Sequence, residues 1–504
     1  MSLDPIAPQV LVGGLRAACD EMGAALIRSA YSANIKERHD CSTALFDAAG
    51  ELVMQAEHIP VHLGSMPDAV AAVLGEEQRP GQSWILNDPY RGGTHLPDIT
   101  LIAPVFADGE LLGFAASRAH HADVGGPTPG SMPAFSTTLE EEGVVIQPTR
   151  ADPETLASLA SQMRMPRQRL ADLRAQQAAN RIGELWLAEL CARLGGEALR
   201  AGMAEILAYS ERRTRAALAE LPDGTYSAED VLEGDWNGEE RDLHLRLRAT
   251  VAGEELRLDF GGGSEQVDGN LNCPLSVTKS AAFFAVRVLT DPDGPPSAGG
   301  HRPIEVLAPP GSLLNARFPA AVAAGNVETS SRVADLVLAA LSQARPGPAQ
   351  GQGTMNNLIL AGDGFTYYET IGGGQGACPE ADGPAAIHVA MSNTLNTPAE
   401  ALESEFPLRI RELSVRRGSG GGGAHRGGEG IVREIEALAP MRFSLIAERR
   451  RHPPRGRDGG RDGAAGVDLL NGARLPGKSS GELSPGDRLR IETPGGGGHG
   501  GGSD

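Results

Sequence analysis

A predicted β-hairpin constrains the fold of this chain more than any other part of its sequence. The apolar runs 99–106 and 111–116 flank Asp108-Gly109, a dipeptide typical of a two-residue hairpin loop. With that loop, the antiparallel pairing continues outward until Asp98 lies opposite Ala119. The open end of the hairpin therefore gathers the polar residues that precede position 98 and follow position 119.

The open end of this hairpin carries three candidate metal ligands, His95, Asp98 and His120. Strict alternation would put Asp98 and His120 on opposite faces, so a shared site needs Pro97 to end the ladder or a β-bulge to turn one side chain. Two imidazoles and one carboxylate suit a divalent zinc, manganese or iron ion and leave positions for water and substrate. The alternative is a polar hairpin mouth whose histidines bond to the backbone, and spacing alone leaves both interpretations open.

Composition excludes some classes of partner. The formal net charge is -20 and the sequence pI is about 5.1, which argues against nucleic acid as a partner because binding to phosphates draws on clustered cations. The segment 1–5 lacks the basic start and apolar stretch of a leader, and no later segment is apolar for the roughly 18 residues of a membrane helix. We expect a cytoplasmic protein with no membrane association.

The pattern of helix and strand signals predicts an α+β chain, a multi-layer mixed fold. Residues 151–222 are rich in Ala, Leu, Glu and Arg and predict two or three helices, whereas the last third alternates glycine-rich loops with short strands. The predicted regions are an N-terminal α/β region with the metal site (1–150), a helical segment (151–222), an α/β region (223–350) and a glycine-rich, mostly β region (351–504).

Two further polar residues, Asn326 and Glu328, are predicted to lie at the start of a helix that runs to about residue 344. Unpaired backbone donors at a helix N-terminus favour an anionic group, so both are candidate substrate-binding residues. The alternative is that they only cap the helix.

Two glycine-rich stretches match the letters of nucleotide-binding motifs without their context. Residues 472–479 fit a P-loop, but turn and strand residues follow where a helix must receive the phosphates. Residues 418–423 fit a dinucleotide fingerprint only because nearly all of them are glycine. We therefore expect that the chain binds neither ATP nor NAD on its own.

The stretch Asn87-Asp88-Pro89-Tyr90-Arg91-Gly92-Gly93-Thr94-His95-Leu96-Pro97-Asp98 resembles a motif of the hydantoinase B/oxoprolinase family. Further segments agree with it in order along the chain, at residues 34–38, 58–66, 120–126, 325–330, 353–357 and 393–403. The family includes 5-oxoprolinases, N-methylhydantoinases and the related large subunits of acetone and acetophenone carboxylases.

This resemblance implies an enzyme that opens the ring of 5-oxoproline or hydantoin together with a hydantoinase A-type ATPase subunit, in a hetero-oligomer. ATP is used through the partner, which activates the cyclic amide. His95, Asp98 and His120 then hold a divalent metal that polarises the activated carbon or lowers the pKa of a bound water. His121 or Asp123 moves protons.

Two alternatives to the cyclic amidase remain open. One is the large subunit of an ATP-dependent ketone carboxylase, because the same scaffold hosts both reactions and the difference lies in pocket shape and partner. The length of 504 residues favours the shorter hydantoinase B-type subunit. The other is a non-catalytic scaffold subunit, which would have no need for three convergent ligands.

Overall fold

The computed structural model of the chain describes residues 6–57, 59–234 and 239–501. The first five residues, considered above for a leader, and His58 of the second family-like motif lie outside the described residues.

The N-terminal region forms an antiparallel sheet covered by helices. Its strands are β1 (Cys41–Asp47), β2 (Leu52–Glu57), β3 (Trp84–Leu86), β4 (Asp98–Ala107), β5 (Glu110–His120) and β6 (Thr149–Arg150). They form a six-stranded sheet in the order β2-β1-β5-β4-β3-β6. The predicted hairpin is therefore the β4–β5 pair at the centre of this sheet.

A β-bulge in the hairpin sets the register of the predicted ligands. Next to the loop, Phe106 pairs with Leu111, but Val105 pairs with Gly113, so that Leu112 is the extra residue. Beyond the bulge every pair is shifted by one, and Asp98 lies opposite His120. The expected pairing of Asp98 with Ala119 is wrong for this reason, and the bulge that a shared site needed is present.

Helices cover both faces of this sheet. They are α1 (Ile6–Ser29), α2 (Ala33–Lys36), α3 (Met66–Ala71), α4 (Pro153–Ser161), α5 (Pro166–Leu194) and α6 (Gly196–Ala219). One apolar core joins α1 and α5 to the sheet through residues such as Met22, Leu45 and Leu187. A second core joins α3 to the opposite face through Met66, Phe46 and others. Segment 151–222 thus contains three helices, as predicted.

A second sheet follows, made of β7 (Gly224–Glu233), β8 (Asp242–Ala252), β9 (Glu255–Asp259) and β10 (Ile304–Leu307) in the order β10-β9-β8-β7. Every second residue of β8 is buried, as in a strand with one covered face. Helices α7 (Leu275–Thr290) and α8 (Ser330–Leu341) provide the cover and share one apolar core with this sheet.

The C-terminal region is β-rich, as predicted. It contains α9 (Ala399–Glu405) and the strands β11 (Asn357–Gly362), β12 (Phe365–Glu369), β13 (Leu408–Arg416), β14 (Gly430–Ala437), β15 (Met441–Ile446), β16 (Val467–Leu470), β17 (Ala473–Leu475), β18 (Lys478–Leu483) and β19 (Arg488–Glu492). These strands form two sheets, β12-β11-β15-β18 and β13-β14-β19-β16-β17. Their inner faces share an apolar core that includes Leu360, Phe443 and Ile435.

Glycine allows several loops of this region to pack backbone against backbone. The segment 495–498 exchanges backbone hydrogen bonds with at least three others, for example Gly497 N to Gln350 O at 2.8 Å and Gly496 N to Gly428 O at 2.9 Å. A Cβ atom on Gly427 would lie 1.9 Å from the oxygen of Gly496. The glycines of this region are thus explained by close packing of extended segments, and no βαβ unit surrounds them within the described ranges.

The predicted α+β fold is confirmed: helices pack on the first two sheets, and the two C-terminal sheets share a core. Lys478, which lies in the P-loop-like stretch, begins strand β18 rather than a helix. Among the described residues, no helix is both long enough and apolar enough to cross a bilayer.

Candidate metal centre

Three buried ligand atoms converge at the open end of the hairpin. The distances are 3.2 Å from His95 Nε2 to His120 Nδ1, 3.2 Å from His95 Nε2 to Asp98 Oδ1, and 3.1 Å from His120 Nδ1 to Asp98 Oδ1. Ligands about 2.1 Å from one ion lie about 3.0 Å apart at right angles and about 3.4 Å apart in a tetrahedron. The triangle therefore has the dimensions of a metal-binding face.

Local structure explains how these side chains converge. Asp98 and His120 are a directly opposed cross-strand pair, whose side chains share one face. His95 comes from the turn before β4, where Asp98 N donates to His95 O at 3.1 Å. Thr94 Oγ1 also donates to Asp98 Oδ2 at 2.6 Å. The second carboxylate oxygen is thus held by a hydrogen bond while Oδ1 faces both imidazoles.

The electrostatics of the cluster favour a bound cation. His95, Asp98 and His120 are only 0%, 1% and 3% exposed. Burial alone would raise the pKa of Asp98, but the neighbouring histidines hold it well below its usual range. Burial lowers the pKa of His120, against the opposing effect of Asp98. An anionic carboxylate beside a neutral imidazole is the protonation state that a divalent metal requires.

Two side chains from other parts of the chain complete this side of the cluster. His62 lies in a 3₁₀ turn at Pro60–His62, and its Nε2 is 3.4 Å from Asp98 Oδ2. Its other nitrogen, Nδ1, is 2.9 Å from Ser42 Oγ. Asn326 Nδ2 lies 3.4 Å from the same oxygen of Asp98. The predicted binding residue Asn326 is therefore in contact with the cluster, whereas His62 was not predicted.

A small cavity adjoins the cluster. It measures about 20 Å³, which accommodates about one water molecule. Asp98, His120, His62, Asn326 and Asp40 line one part of it, together with apolar residues. Burial raises the pKa of Asp40, although the charges of His120 and Arg38 oppose this. Asp40 is therefore a second carboxylate next to the candidate metal ligands.

The opposite wall of the cavity comes from the C-terminal region. Tyr368, Thr370, Ser392 and Thr394 line it. The Tyr368 ring stacks on His120, with ring centroids 4.4 Å apart, and its hydroxyl donates to Asn357 Oδ1 at 2.9 Å. The N-terminal hairpin thus supplies the ligands, and the C-terminal region encloses them.

Arg38 does not line the cavity itself, but it contacts residues of both walls. Its NH1 donates to Tyr368 O at 3.0 Å, and its NH2 donates to Thr370 Oγ1 at 2.6 Å. The same NH2 lies 3.8 Å from Asp40 Oδ2, so one buried guanidinium fixes a carboxylate of one wall and a hydroxyl of the other. Arg38 and Asp40 follow shortly after helix α2.

His121 and Asp123 point away from this cavity. His121 lies on the opposite face of the hairpin from His120, where its Nε2 is 2.9 Å from Gln176 Oε1 on α5. Asp123 accepts hydrogen bonds from Gly125 N and Gly130 N at 2.8 and 2.7 Å and is paired with Arg164. These contacts fasten a helix and a loop to the hairpin.

Glu328 does not line the cavity, but it is connected through Asn357 to Tyr368 in the cavity wall. It lies in a π-helical turn, Gly325–Thr329, that leads directly into α8. Glu328 Oε1 accepts from Asn357 Nδ2 at 2.7 Å, and Asn357 in turn accepts from the Tyr368 hydroxyl. Burial, together with the charge of Glu448, raises the pKa of Glu328 to about 8.

Sequence reasoning missed Asp40, His62, Tyr368 and Ser392. His62 lies inside one of the family-like motifs and Asp40 lies two residues after another, so proximity to those motifs was an available signal. Tyr368 reaches the cavity from more than 240 positions away along the chain, and no local pattern marks it. Ser392 is as distant, but it lies directly before the family-like motif at 393–403, which was an available signal of the same kind.

Several relatives match this chain over nearly its whole length in sequence. A 5-oxoprolinase from Arabidopsis thaliana is 39% identical, with 95% of this chain and 40% of the relative covered. A Pseudomonas protein named for the B component of a D-/L-hydantoinase is 32% identical, with 99% of this chain and 90% of the relative covered. The chain therefore spans about two fifths of the plant 5-oxoprolinase.

Two solved structures share the fold. The ATP-dependent caprolactamase from Pseudomonas jessenii superposes with a TM-score of 0.92 at 28% identity, covering 99% of this chain and 92% of that one. Nucleotide-free acetone carboxylase superposes with a TM-score of 0.87 at 19% identity, covering 99% and 76%. The family model for hydantoinase B/oxoprolinase matches residues 4–501. The chain belongs to the hydantoinase B/oxoprolinase family.

Proposed function

We propose that this chain is the metal-bearing catalytic subunit of an ATP-dependent cyclic amidase that opens 5-oxoproline or hydantoin rings. The observation that carries the proposal is the buried triangle of His95, Asp98 and His120, in a chain 39% identical to a 5-oxoprolinase. When bound there, a zinc, manganese or iron ion would polarise a carbonyl or lower the pKa of water.

The protein groups around the triangle have distinct roles in this proposal. Asn326 and Asp40 line the cavity beside Asp98, where an amide can hold the single water for which the cavity has room and a carboxylate can accept a proton from it. Tyr368 holds the His120 ring by stacking. The near-complete burial of the ligands excludes bulk water and strengthens each electrostatic interaction in the site.

ATP enters the proposal through a hydantoinase A-type partner. An unstrained amide is a poor electrophile, and phosphorylation of its oxygen would create a good leaving group. The relative named for the B component of a hydantoinase is covered over 90% of its length, whereas the 5-oxoprolinase is much longer than this chain. A relative of about this length therefore exists as a separate protein, without the additional residues of the longer 5-oxoprolinase. This supports activation of the substrate by a partner chain and ring opening by this chain, in a hetero-oligomer.

The proposed roles of the remaining predicted residues differ in their support. Glu328 lies behind Asn357 and Tyr368, so we assign it the positioning of the cavity wall rather than substrate contact. Proton transfer by His121 or Asp123 stays a prediction, since their hydrogen bonds are made to α5 and to the loop after β5.

The ketone carboxylase is the second candidate, and the similarity to acetone carboxylase at 19% identity supports a shared fold only. The similarity to the caprolactamase is higher in both identity and coverage and favours amide hydrolysis. A scaffold without chemistry is disfavoured by three convergent buried ligands.

Elemental analysis of the purified chain tests the metal centre. We expect about one zinc, manganese or iron per chain in the wild type and none in His95→Ala or His120→Ala. His244→Ala, which removes an exposed histidine of β8, is the matched control and should keep the metal. A wild-type protein without metal, or full metal in both site variants, would contradict the proposal.

The reaction is tested with a co-expressed hydantoinase A-type partner, ATP and either 5-oxoproline or hydantoin. Ring-opened product should form together with ADP, and Asp98→Asn should abolish product formation. Carboxylated product from acetone or acetophenone and bicarbonate, without lactam hydrolysis, would favour the carboxylase instead.

A further inference from the structure

We propose that Ser392, His388 and Asn396 form a proton relay that serves the cavity beside the metal centre. The inference rests on the proposed function, because it assigns the groups that move protons when a water held in that cavity attacks the substrate. These three residues are called the serine relay below.

The hydrogen bonds of the serine relay fix its direction. His388 Nε2 is 3.1 Å from Asn396 Oδ1, which only accepts, so Nε2 carries the ring proton. His388 Nδ1 is then the acceptor, and Ser392 Oγ lies 2.7 Å from it as the donor. A hydroxyl held against an imidazole whose far nitrogen is oriented by a side-chain oxygen is the arrangement of a serine or cysteine triad.

Ser392 is the member of the serine relay that reaches the cavity. It is 3% exposed and lines the same space as Asp98 and His120. Thr370 and Thr394 line the cavity as well, but both hydroxyls accept from Arg38, and they lie 2.7 Å from each other. Of these three cavity hydroxyls, Ser392 is the one that lies close enough to an imidazole for a strong hydrogen bond.

His388 is suited to accept a proton briefly. Loss of hydration and the charge of Arg38 lower its pKa to about 4, so the ring is neutral at pH 7. Once protonated it lies close to that guanidinium, which favours return of the proton. Asn396 is only partly buried, so the far end of the serine relay faces outward.

The step balances with two water molecules and the phosphorylated substrate that the partner supplies. As the first water attacks the activated carbon, a C–O bond forms, a water proton passes to Ser392 Oγ, and the Ser392 proton passes to His388 Nδ1. When the C–N bond breaks, the proton returns from His388 through Ser392 to the departing nitrogen, and the phosphate group stays on the new carboxyl as an acyl phosphate. A second water then hydrolyses the acyl phosphate to a carboxylate and free phosphate. Ser392 touches the reacting water, and His388 acts through it.

The test uses 4-nitrophenyl acetate, whose activated ester needs neither ATP nor a partner. The zinc-loaded chain is compared with Ser392→Ala, His388→Gln and Ser392→Thr, and rates are expressed per bound zinc. We expect kcat to fall about 100-fold in Ser392→Ala and His388→Gln, with KM unchanged, because general base catalysis contributes at least this much. Ser392→Thr keeps a hydroxyl and should keep most of the rate. Ser404→Ala, on the exposed side of α9, is the control.

The serine relay is overturned if the wild type is no faster than Ser392→Ala, or if Ser392→Thr is as slow as Ser392→Ala. A lower solvent deuterium isotope effect in His388→Gln than in the wild type supports transfer through the imidazole, and an equal one contradicts it. If the wild type with the ATPase partner hydrolyses no lactam but its ester hydrolysis still depends on Ser392, the proposed function is rejected and the serine relay is retained.

Discussion

Asp98 is the residue on which the candidate metal centre depends. Its carboxylate is within 3.4 Å of ring nitrogens from His62, His95 and His120 and also accepts from Thr94. Either a divalent cation or a proton on one of these histidines can compensate the charge of the buried carboxylate. Protons and a divalent cation therefore compete for the same buried charge.

This competition predicts how metal retention depends on pH. Burial lowers the pKa of both His62 and His120, so these rings stay neutral below the ordinary histidine value of about 6.5. We expect the metal to be retained at pH 6.5 and released as the pH falls further, because ligand protonation opposes binding. Metal content after dialysis at a series of pH values measures this. Release that is already complete at pH 7 would contradict the low pKa values.

Tyr368 provides a second prediction at the scale of a single residue. Tyr368→Phe keeps the ring stacked on His120 and loses the hydrogen bond to Asn357, so it should cost about 1 kcal/mol of stability and keep the metal. Tyr368→Ala should cost about 3 kcal/mol or more and weaken metal binding about tenfold, because the ring is lost. Urea unfolding and metal titration measure the two effects.

The neighbouring Tyr367 is the matched control for this experiment. It is equally buried but packs against Phe406, with ring centroids 5.1 Å apart, in the core of the C-terminal sheets. Tyr367→Ala should destabilise the fold by a similar amount and leave metal affinity unchanged. Equal losses of metal affinity in the two alanine variants would mean that stacking on His120 has no specific role.

Among the elements, the β4–β5 hairpin shows how one extra residue determines a site. Leu112 is accommodated as a bulge, and the shift that follows moves His120 from opposite Pro97 to opposite Asp98. His121, the next residue, consequently faces α5. A regular hairpin with the same loop would have placed Asp98 and His120 on opposite faces.

The packed glycine segments give a prediction at the same scale. A Cβ on Gly496 would lie 2.0 Å from the backbone oxygen of Gln375, whereas a Cβ on Gly13 would meet nothing within 4 Å. Gly496→Ala should therefore prevent folding of the C-terminal region or destabilise it by several kcal/mol. Gly13→Ala in α1 should stabilise the chain by about 0.5–1 kcal/mol. Thermal unfolding of both variants tests this, and equal melting temperatures would contradict it.

On the scale of the whole molecule, a buried ionic network connects separate regions. Arg332 of α8 lies 3.5 Å from Asp230 of β7 and 3.6 Å from Glu448. Arg449 lies 2.8 Å from Asp335 of α8. Removal of one partner would leave a buried charge uncompensated, which typically costs about 3–5 kcal/mol. The network ties the second sheet and α8 to the C-terminal region.

Glu448 of this network and the nearby Glu328 predict that the free energy of unfolding falls as pH rises. Burial, followed by the charge of a neighbouring carboxylate, raises the pKa of Glu328 to about 8 and that of Glu448 to about 7. Between about pH 4.5 and these raised values, the folded state binds more protons at the two glutamates than the unfolded state does. The free energy of unfolding therefore falls as the pH rises through this range, and the loss is complete above about pH 8. Between pH 6 and 7, each of these glutamates lowers the free energy of unfolding by about 1 kcal/mol per pH unit.

Glu448→Gln should reduce this pH dependence, because glutamine keeps a hydrogen-bonding oxygen and does not titrate. Urea unfolding at pH 6, 7 and 8 in the presence of a chelator measures the free energy of unfolding without a metal contribution. Glu77→Gln, at an exposed glutamate with a side chain 67% exposed, is the control and should behave as the wild type. An unchanged slope in Glu448→Gln would contradict the raised pKa.

The sequence by itself determined the local elements and the hairpin that carries the ligands. Apolar periodicity and turn residues placed the helices of segment 151–222 and the two strands of the β4–β5 hairpin close to where they lie, because these signals act between residues that are near in the chain. The three candidate ligands were also readable, since a tight loop brings their positions together whatever the rest of the chain does.

Only the tertiary structure decided which residues share the cavity. The bulge at Leu112 depends on packing within the sheet, and the second wall depends on contacts between the N-terminal and C-terminal regions, as in the bond from Arg38 to Thr370. His121 and Asp123 carry the right chemistry in sequence but are directed away by strand alternation and by Arg164. Long-range packing has no local signal, and it alone brought Ser392 and Tyr368 to the histidines.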